Sequence, residues 1–340
     1  MATPQEEVQQ QAGKIITHVA GYVGVKAIDM GLRLGMLDEL AKHPDGVTSD
    51  ALAEALSLDP FYVGVWCSAA YGAEVLDADG DTFKLAPHMD KLLLDKDFPG
   101  YVGGLPNIMV QPELFDTFAK NLPSGKRSWW DECSPEWIEA VSLTARPFYS
   151  RLVAGGFDRV PGLSDRLAGE VKIMDLACGA GVGLQKLAAA YPKATLVGVD
   201  GDAHSLEVTG QKLKDAGLSD RVSLVKSTFE ELDAGDDFDV VIINVSMHEC
   251  RDIDEVTKNV NRALKPDGYF VISDFPFPDK IEGVRTPPAR VMSGIQFFEA
   301  LIDDQLLPTQ AYVDLLTKHG FKNVAAFDMT PVHAVTHGQK

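Results

Sequence analysis

The stretch from Val171 to Gly183, Val-Lys-Ile-Met-Asp-Leu-Ala-Cys-Gly-Ala-Gly-Val-Gly, constrains this chain more than any other. Its first half is a short, mostly apolar run suited to a buried parallel strand, and Leu184 to Ala190 follows with helical spacing. The small residues between them let the backbone turn sharply and approach a ligand, presenting N–H groups at a helix N-terminus where a nucleotide binds. A second apolar run, Ala194 to Val199, ends in Asp200, a carboxylate placed at the tip of the next parallel strand to accept hydrogen bonds from ribose hydroxyls. Up to this point a dinucleotide site reads similarly, and plain α/β domains also turn on glycine.

Five more strands are predicted at Val222–Lys226, Phe238–Val245, Gly268–Asp274, Val324–Asp328 and Val332–Thr336, with helices between most of them. Alternation of this kind gives a doubly wound parallel sheet, and the last two strands, joined without room for a helix, predict an antiparallel C-terminal pair. Ahead of it, apolar residues recur at helical spacing from Ala12 to Leu40, interrupted by glycines at 21, 24, 31 and 35 that either admit a close helix contact or end a helix. A capped helix (Val47–Leu56), a second helix from Pro60 to Tyr71 and a hairpin (Val75–Leu85) around Asp-Gly complete a winged-helix pattern.

The expected fold is therefore α/β, a Rossmann-like seven-stranded sheet with an antiparallel C-terminal strand, preceded by a mainly helical winged-helix domain. The expected division is residues 1–98 for the helical domain, 99–165 for a helical bridge carrying part of a substrate wall, and 166–340 for the nucleotide-binding domain.

Charge removes one use of a winged helix. Between Val47 and Pro87 there are seven acidic side chains and a single lysine, Lys84, and the chain as a whole carries a formal charge of −19 with a pI near 4.7. Neither supplies the basic patch that phosphate binding needs, so no nucleic-acid partner is expected. The four cysteines, Cys67, Cys133, Cys178 and Cys250, are scattered, which suggests neither a disulfide framework nor a zinc site; no metal and a cytoplasmic location are expected. The polar N-terminus lacks a leader pattern, and no unbroken apolar run approaches the length of a membrane span, so no membrane partner is expected.

The spacing Asp175-x-x-x-Gly179-x-Gly181 resembles motif I of the class I S-adenosylmethionine-dependent methyltransferases, over roughly residues 145 to 335. The resemblance implies S-adenosylmethionine as cofactor and S-adenosylhomocysteine as product. It places Asp175, Ala177, Gly179, Gly181, Asp200, Gly201, Thr228, Phe229 and Asn244 around the cofactor, the first acid orienting the turn and the glycines lying against the methionine part. Two positions depart from the pattern: Asn244 stands where a lysine is common, and Ser227-Thr228-Phe229 stands where an acid usually lies near the adenine. Together with the N-terminal module, the chain resembles the plant-type and bacterial small-molecule O-methyltransferases. In those the module makes a homodimer and helps close the partner's active site.

Met247-His248-Glu249-Cys250-Arg251-Asp252 follows the fourth strand, where ligands of such sheets lie. His248 matches the family's general base, with Glu249 beside it and Asp274 as a flanking acid; the position of the second flanking acid holds Thr309 when counted without gaps from Gly320-Phe321. A base is needed only for a protic acceptor, because methyl transfer is an in-line displacement from a sulfonium. With a thioether acceptor no proton is lost, aromatic faces suit the cationic product, and an arginine can hold a substrate carboxylate. Trp129, Tyr149, Arg146 and Arg290 are the expected substrate contacts, with Arg285 as a further candidate.

Length, acidity, the His-Glu-Cys-Arg-Asp block and the missing acid resemble the bacterial S-methyltransferases of dimethylsulfoniopropionate synthesis, which methylate 4-methylthio-2-hydroxybutyrate. S-methylation of such a small-molecule substrate is the favoured expectation. O-methylation of a phenolic or hydroxylated metabolite is the alternative, and a catalytically idle or DNA-binding regulator is the reading from another class.

Overall fold

The computed structural model describes residues 3–128 and 132–340, so Trp129 lies outside the described residues. The chain forms two compact units, Met1–Gln111 and Pro112–Lys340, and the segment expected as a bridge is shared between them.

The first unit opens with α1 (Pro4–Arg33), started by a capping box between Thr3 and Glu6 and by proline in its first turn. Its internal glycines do not break it. At Gly31 a Cβ would lie 2.7 Å from the Trp66 ring, so this glycine permits close contact with the later helix that carries Trp66, whose Nε1 donates to the Ala27 carbonyl at 2.8 Å. The break falls at Gly35, with φ +73°, before α2 (Met36–Ala41). Then come β1 (Val47–Thr48), α3 (Ser49–Leu56) capped by Thr48, α4 (Pro60–Gly72) capped by Asp59, and the hairpin β2 (Leu76–Asp79) and β3 (Thr82–Leu85), in a sheet ordered β1-β3-β2. Short helices α5 (Met89–Leu93) and α6 (Gly104–Met109) follow. The core gathers Ala27, Leu37, Leu40, Leu52, Val63 and Trp66.

Only the last part of α1 is buried in this core; Ile15 and Ile16 are 64% and 67% exposed, and Val8, Val19 and Tyr22 are also open. By length and composition α1 could cross a membrane. Counting unbroken apolar runs missed this, because mean hydropathy over a window tolerates the interspersed glycines and polar residues.

The second unit begins with α7 (Pro112–Asn121) and α8 (Pro135–Arg151), which leads through a π-turn at Leu152–Gly156 and α9 (Leu163–Leu167) into the sheet. All seven predicted strands form: β4 (Lys172–Leu176), β5 (Thr195–Asp200), β6 (Val222–Lys226), β7 (Phe238–Asn244), β8 (Leu264–Asp274), β9 (Lys322–Thr330) and β10 (His333–Gln339). Their order is β6-β5-β4-β7-β8-β10-β9, parallel except that β10 runs antiparallel between β8 and β9.

The connections are α10 (Val182–Ala190), α11 (Ala203–Asp215), α12 (Ile253–Ala263), α13 (Pro287–Leu301) and α14 (Thr309–Lys318). Each face of the sheet has its own apolar core, one with Leu184, Leu187 and Leu213, the other with Val256, Val260 and Leu316. Such two-sided burial explains why β7, Phe-Asp-Val-Val-Ile-Ile-Asn, reads as a continuous run rather than an alternating one.

Candidate active site

The carboxyl ends of β4, β5, β7 and β8 lie next to one another in the sheet, and the expected cofactor and catalytic residues sit there. The turn after β4 takes positive φ at Ala177 (+58°), Gly179 (+48°) and Gly181 (+77°), which winds the backbone tightly before α10. Asp200, at the end of β5, accepts from the Gly179 N–H at 2.8 Å and from the Asp202 N–H at 2.9 Å, so it braces the turn, while burial raises its pKa. Thr209 donates to the Gly179 carbonyl at 2.6 Å.

The glycines serve different ends. A Cβ on Gly181 would fall 2.7 Å from Thr209 Cγ2, and one on Gly183 would fall 2.3 Å from the Tyr149 ring and 2.6 Å from Asp175 Oδ2. One on Gly179 would meet no protein atom within 4 Å. That open face is where a ligand can approach the backbone. Beneath the turn Asp175 is fully buried; Tyr149 donates to its Oδ1 at 2.7 Å, and its Oδ2 has no hydrogen-bond partner among the described residues. Burial pushes the Asp175 carboxyl up to about 7. Tyr149 is thus placed under the turn, as support for Asp175.

Near the end of β5, Gly201 lies beside the segment after β6, where Thr228 donates to Glu231 at 3.0 Å and Phe229 packs on the apolar core. Asn244 ends β7, buried, its Oδ1 accepting from Ser273 at 2.7 Å and its Nδ2 lacking a partner.

His248 follows β7 and is 4% exposed. Its Nδ1 lies 2.9 Å from both oxygens of Asp274, and since a carboxylate only accepts, Nδ1 carries a proton and Nε2 points the other way. Tyr312 on α14 donates to Asp274 Oδ2 at 2.8 Å, fixing that carboxylate. Nε2 faces Glu299 Oε2 at 3.6 Å, and neither atom has a hydrogen bond among the described residues.

The second acid expected to be missing is therefore supplied by Glu299 on α13, while Thr309 merely begins α14. Burial works against protonation of His248, but the charges of Asp274 and Glu299 outweigh it and hold its pKa well above the ordinary value. Burial, with the charge of Glu299 second, pushes the Glu249 carboxyl well up.

Ligand atoms of His248, Glu249 and Glu299 lie within 4.8 Å of one another, close enough for a metal ion. His248, its pKa held above the ordinary value between Asp274 and Glu299, offsets part of this charge whenever it is protonated, so no step here is derived through a metal.

A cavity of about 440 Å³ opens beside this cluster, lined by His248, Cys250, Arg251, Gln296, Asp304 and Arg127 among others. Its arginines are Arg127, paired with Asp303 at 2.6 Å, and Arg251; the expected Arg146 is half-buried on α8 and Arg290 is exposed on α13, and neither lines it. Sequence reading missed Glu299, Tyr312, Arg127 and Arg251. Of these, only Arg251 carried a local signal, by its place in the His-Glu-Cys-Arg-Asp block.

The strand order, the turn and the comparisons agree. Residues 167–327 match the family model described as a methyltransferase domain. This region is similar to a methyltransferase domain over just under half of the chain. Its cofactor is S-adenosylmethionine, and the open face of Gly179 together with the unpartnered carboxylate of Asp175 fits a cationic amino-acid ligand lying against the turn.

Among curated relatives, the malonyl-[acyl-carrier protein] O-methyltransferase of Priestia megaterium is 30% identical over 106 residues, covering 31% of this chain and 37% of that one. The match thus spans about a third of that relative's length. The pyocyanin biosynthetic protein PhzM superposes with a TM-score of 0.71 at 21% identity, covering 98% of this chain and 99% of that one. The mitomycin 7-O-methyltransferase MmcR gives 0.70 at 18%, covering 98% and 100%. Their likeness extends the shared fold over both units of the chain.

Proposed function

We propose that this methyltransferase transfers a methyl group to a hydroxyl oxygen of a small molecule, with His248 as general base. The observation that carries the reading is the Asp274–His248 pair, which occupies Nδ1 and leaves Nε2 facing Glu299 at 3.6 Å with no hydrogen-bond partner among the described residues. The names of two similar proteins, an acyl-carrier-protein O-methyltransferase and a mitomycin O-methyltransferase, favour the same acceptor atom.

S-adenosylmethionine supplies an electrophilic methyl on a sulfonium. Around it we assign Asp175, Ala177, Gly179 and Gly181 to the methionyl part, Asp200 and Gly201 to the ribose, Thr228 and Phe229 to the adenine, and Asn244 to the side facing β7. Asp200 would exchange its bond to the Gly179 N–H for ribose hydroxyls. Glu249, Arg146, Tyr149 and Arg290 keep only supporting parts, because a half-buried carboxyl whose pKa is raised, a half-buried arginine, a phenol committed to Asp175 and an exposed arginine are poorly placed to meet the acceptor. Release of S-adenosylhomocysteine, measured across phenols, thioether acids and amines, tests the reading. Turnover confined to thioether acids or amines would refute it.

S-methylation of a thioether acid such as 4-methylthio-2-hydroxybutyrate is the second reading, and one observation favours it. His248, its pKa raised by two flanking carboxylates, gives up its proton less readily than an ordinary imidazole, whereas a surrounding of Asp274, Glu299 and Asp304 suits a sulfonium product.

The buried Asp175 gives a pH dependence to cofactor binding. An acid whose pKa is raised to about 7 is protonated below that pH and ionised above it, and a cationic ligand favours the ionised form. Affinity for S-adenosylmethionine is expected to fall roughly tenfold per unit as the pH drops below 7, with protons released on binding. Calorimetry in buffers of different ionisation enthalpy reads both effects, and Asp175→Asn should flatten the profile. A profile unchanged by that substitution assigns the effect elsewhere.

We read the first unit as a winged-helix dimerisation module and the protein as a cytoplasmic homodimer. Ile15, Ile16, Val19 and Tyr22 on α1 and Phe61 and Tyr62 on α4 form exposed apolar surface, while Asp29 is buried in the unit's own core beside the charge of Arg33 at 2.9 Å. Light scattering is expected to give twice the chain mass at micromolar concentration, and Ile15→Glu/Val19→Glu to give the single mass. A wild-type monomer that pellets with anionic vesicles would instead make α1 a membrane contact.

A further inference from the structure

Behind β7 a chain of buried polar groups runs from Arg151 to Asn244. Arg151, at the end of α8, donates from Nε to His333 Nδ1 at 2.8 Å; His333 Nε2 lies 2.8 Å from Ser273 Oγ; and Ser273 Oγ donates to Asn244 Oδ1 at 2.7 Å. All four residues are less than 9% exposed. Phe148 packs against both the guanidinium and the imidazole, at 4.7 and 4.3 Å, which keeps them in register.

The direction of every bond in this chain is set by its first member. A guanidinium has donors and no acceptor, so His333 Nδ1 must be a bare nitrogen and the ring's proton must sit on Nε2. That proton goes to Ser273 Oγ, and the hydroxyl's own proton goes to Asn244 Oδ1. The carboxamide therefore cannot flip, and its two N–H donors point away from the chain, buried and without a partner among the described residues. Leaving them unmatched is costly, so an acceptor is expected from a ligand. Asn244 ends β7 beside β4, whose last residue Leu176 pairs with Ile243 and leads into the glycine turn. The nearest ligand group there, on the cofactor reading just given, is the methionyl end with its carboxylate.

We propose that Arg151, His333 and Ser273 are positioning residues that lock the Asn244 carboxamide so that its N–H groups bind the methionyl carboxylate of the cofactor. The inference rests on S-adenosylmethionine lying against the Gly179 turn. It accounts for an asparagine at a position where a long cation is common: a fixed donor replaces a flexible charge, with the positive charge of Arg151 held one relay away.

The test uses calorimetry of the full-length protein with S-adenosylhomocysteine and with its decarboxylated analogue. Saturable binding of both by the wild type checks the cofactor reading separately. Ser273→Ala and His333→Leu are expected to weaken S-adenosylhomocysteine by on the order of tenfold to a hundredfold while leaving the analogue nearly unchanged, because only the former has a carboxylate to lose. His333→Gln, able to accept from Arg151 and donate to Ser273, should restore most of the affinity. Asn244→Asp, nearly isosteric but unable to donate, should show the same selective loss and serves if the relay variants fold poorly. Equal weakening of both ligands, or none of either, overturns the proposal.

Discussion

Replacing Gly179 by leucine is expected to abolish measurable binding of S-adenosylmethionine in a protein that still folds. The added side chain would meet no protein atom within 4 Å of its Cβ, so the fold bears only the strain of a non-glycine residue at φ +48°, about 1–2 kcal/mol. The same open space is what the cofactor needs. Gly183→Val makes the contrasting case within one motif: its Cβ would lie 2.3 Å from the Tyr149 ring and 2.6 Å from Asp175 Oδ2, so it should lower the melting temperature sharply. Thermal unfolding with and without ligand separates the two. If Gly179→Leu retains wild-type affinity, the turn is not the cofactor cradle.

The second large effect is expected at His248. With a hydroxyl acceptor, His248→Ala removes the group that takes the proton, and turnover should fall by about two to four orders of magnitude. The wild-type rate should also climb with pH beyond neutrality, since Asp274 and Glu299 raise the imidazole pKa and the base form appears only as the proton is lost. Glu299→Gln lowers that pKa by removing a charge, so the rising limb should move to lower pH. With a thioether acceptor no proton leaves, and turnover should be flat across this range while His248→Ala acts mainly on the Michaelis constant. Rates for a catechol and for 4-methylthio-2-hydroxybutyrate, measured over the same pH series, decide between the acceptors. Activity on the catechol that is indifferent to His248→Ala would remove the histidine from the mechanism.

What the sequence disclosed follows from how local each feature is. The seven strands were legible because buried parallel strands write themselves as apolar runs, and Gly179 and Gly181 because a tight turn leaves little choice of residue. Asp274 could be placed from the end of its strand. Glu299 could not: it belongs to a helix whose distance along the chain from His248 says nothing of its 3.6 Å separation in space. A gapless count put Thr309 in its role, and the argument for a weakened base drawn from that count does not survive. Tyr149 misled in a similar way, since an aromatic near other aromatics suggests a substrate wall, whereas its hydroxyl is bound to Asp175.

The place of β10 has a consequence for the order of assembly. Residues 333–339 fill the gap between β8 and β9, so until they arrive β8 has a bare edge and β9 has no neighbour in the sheet. During synthesis the nucleotide-binding half can form its parallel strands early, but His333, and with it the bond that fixes Ser273, is delivered by the last strand to enter. Closing that strand pairs segments far apart in sequence, a slow step that leaves an apolar edge open to other chains meanwhile. A nascent chain stalled before residue 333 should therefore be sensitive to proteases and to aggregation, and one released after residue 339 should be protected.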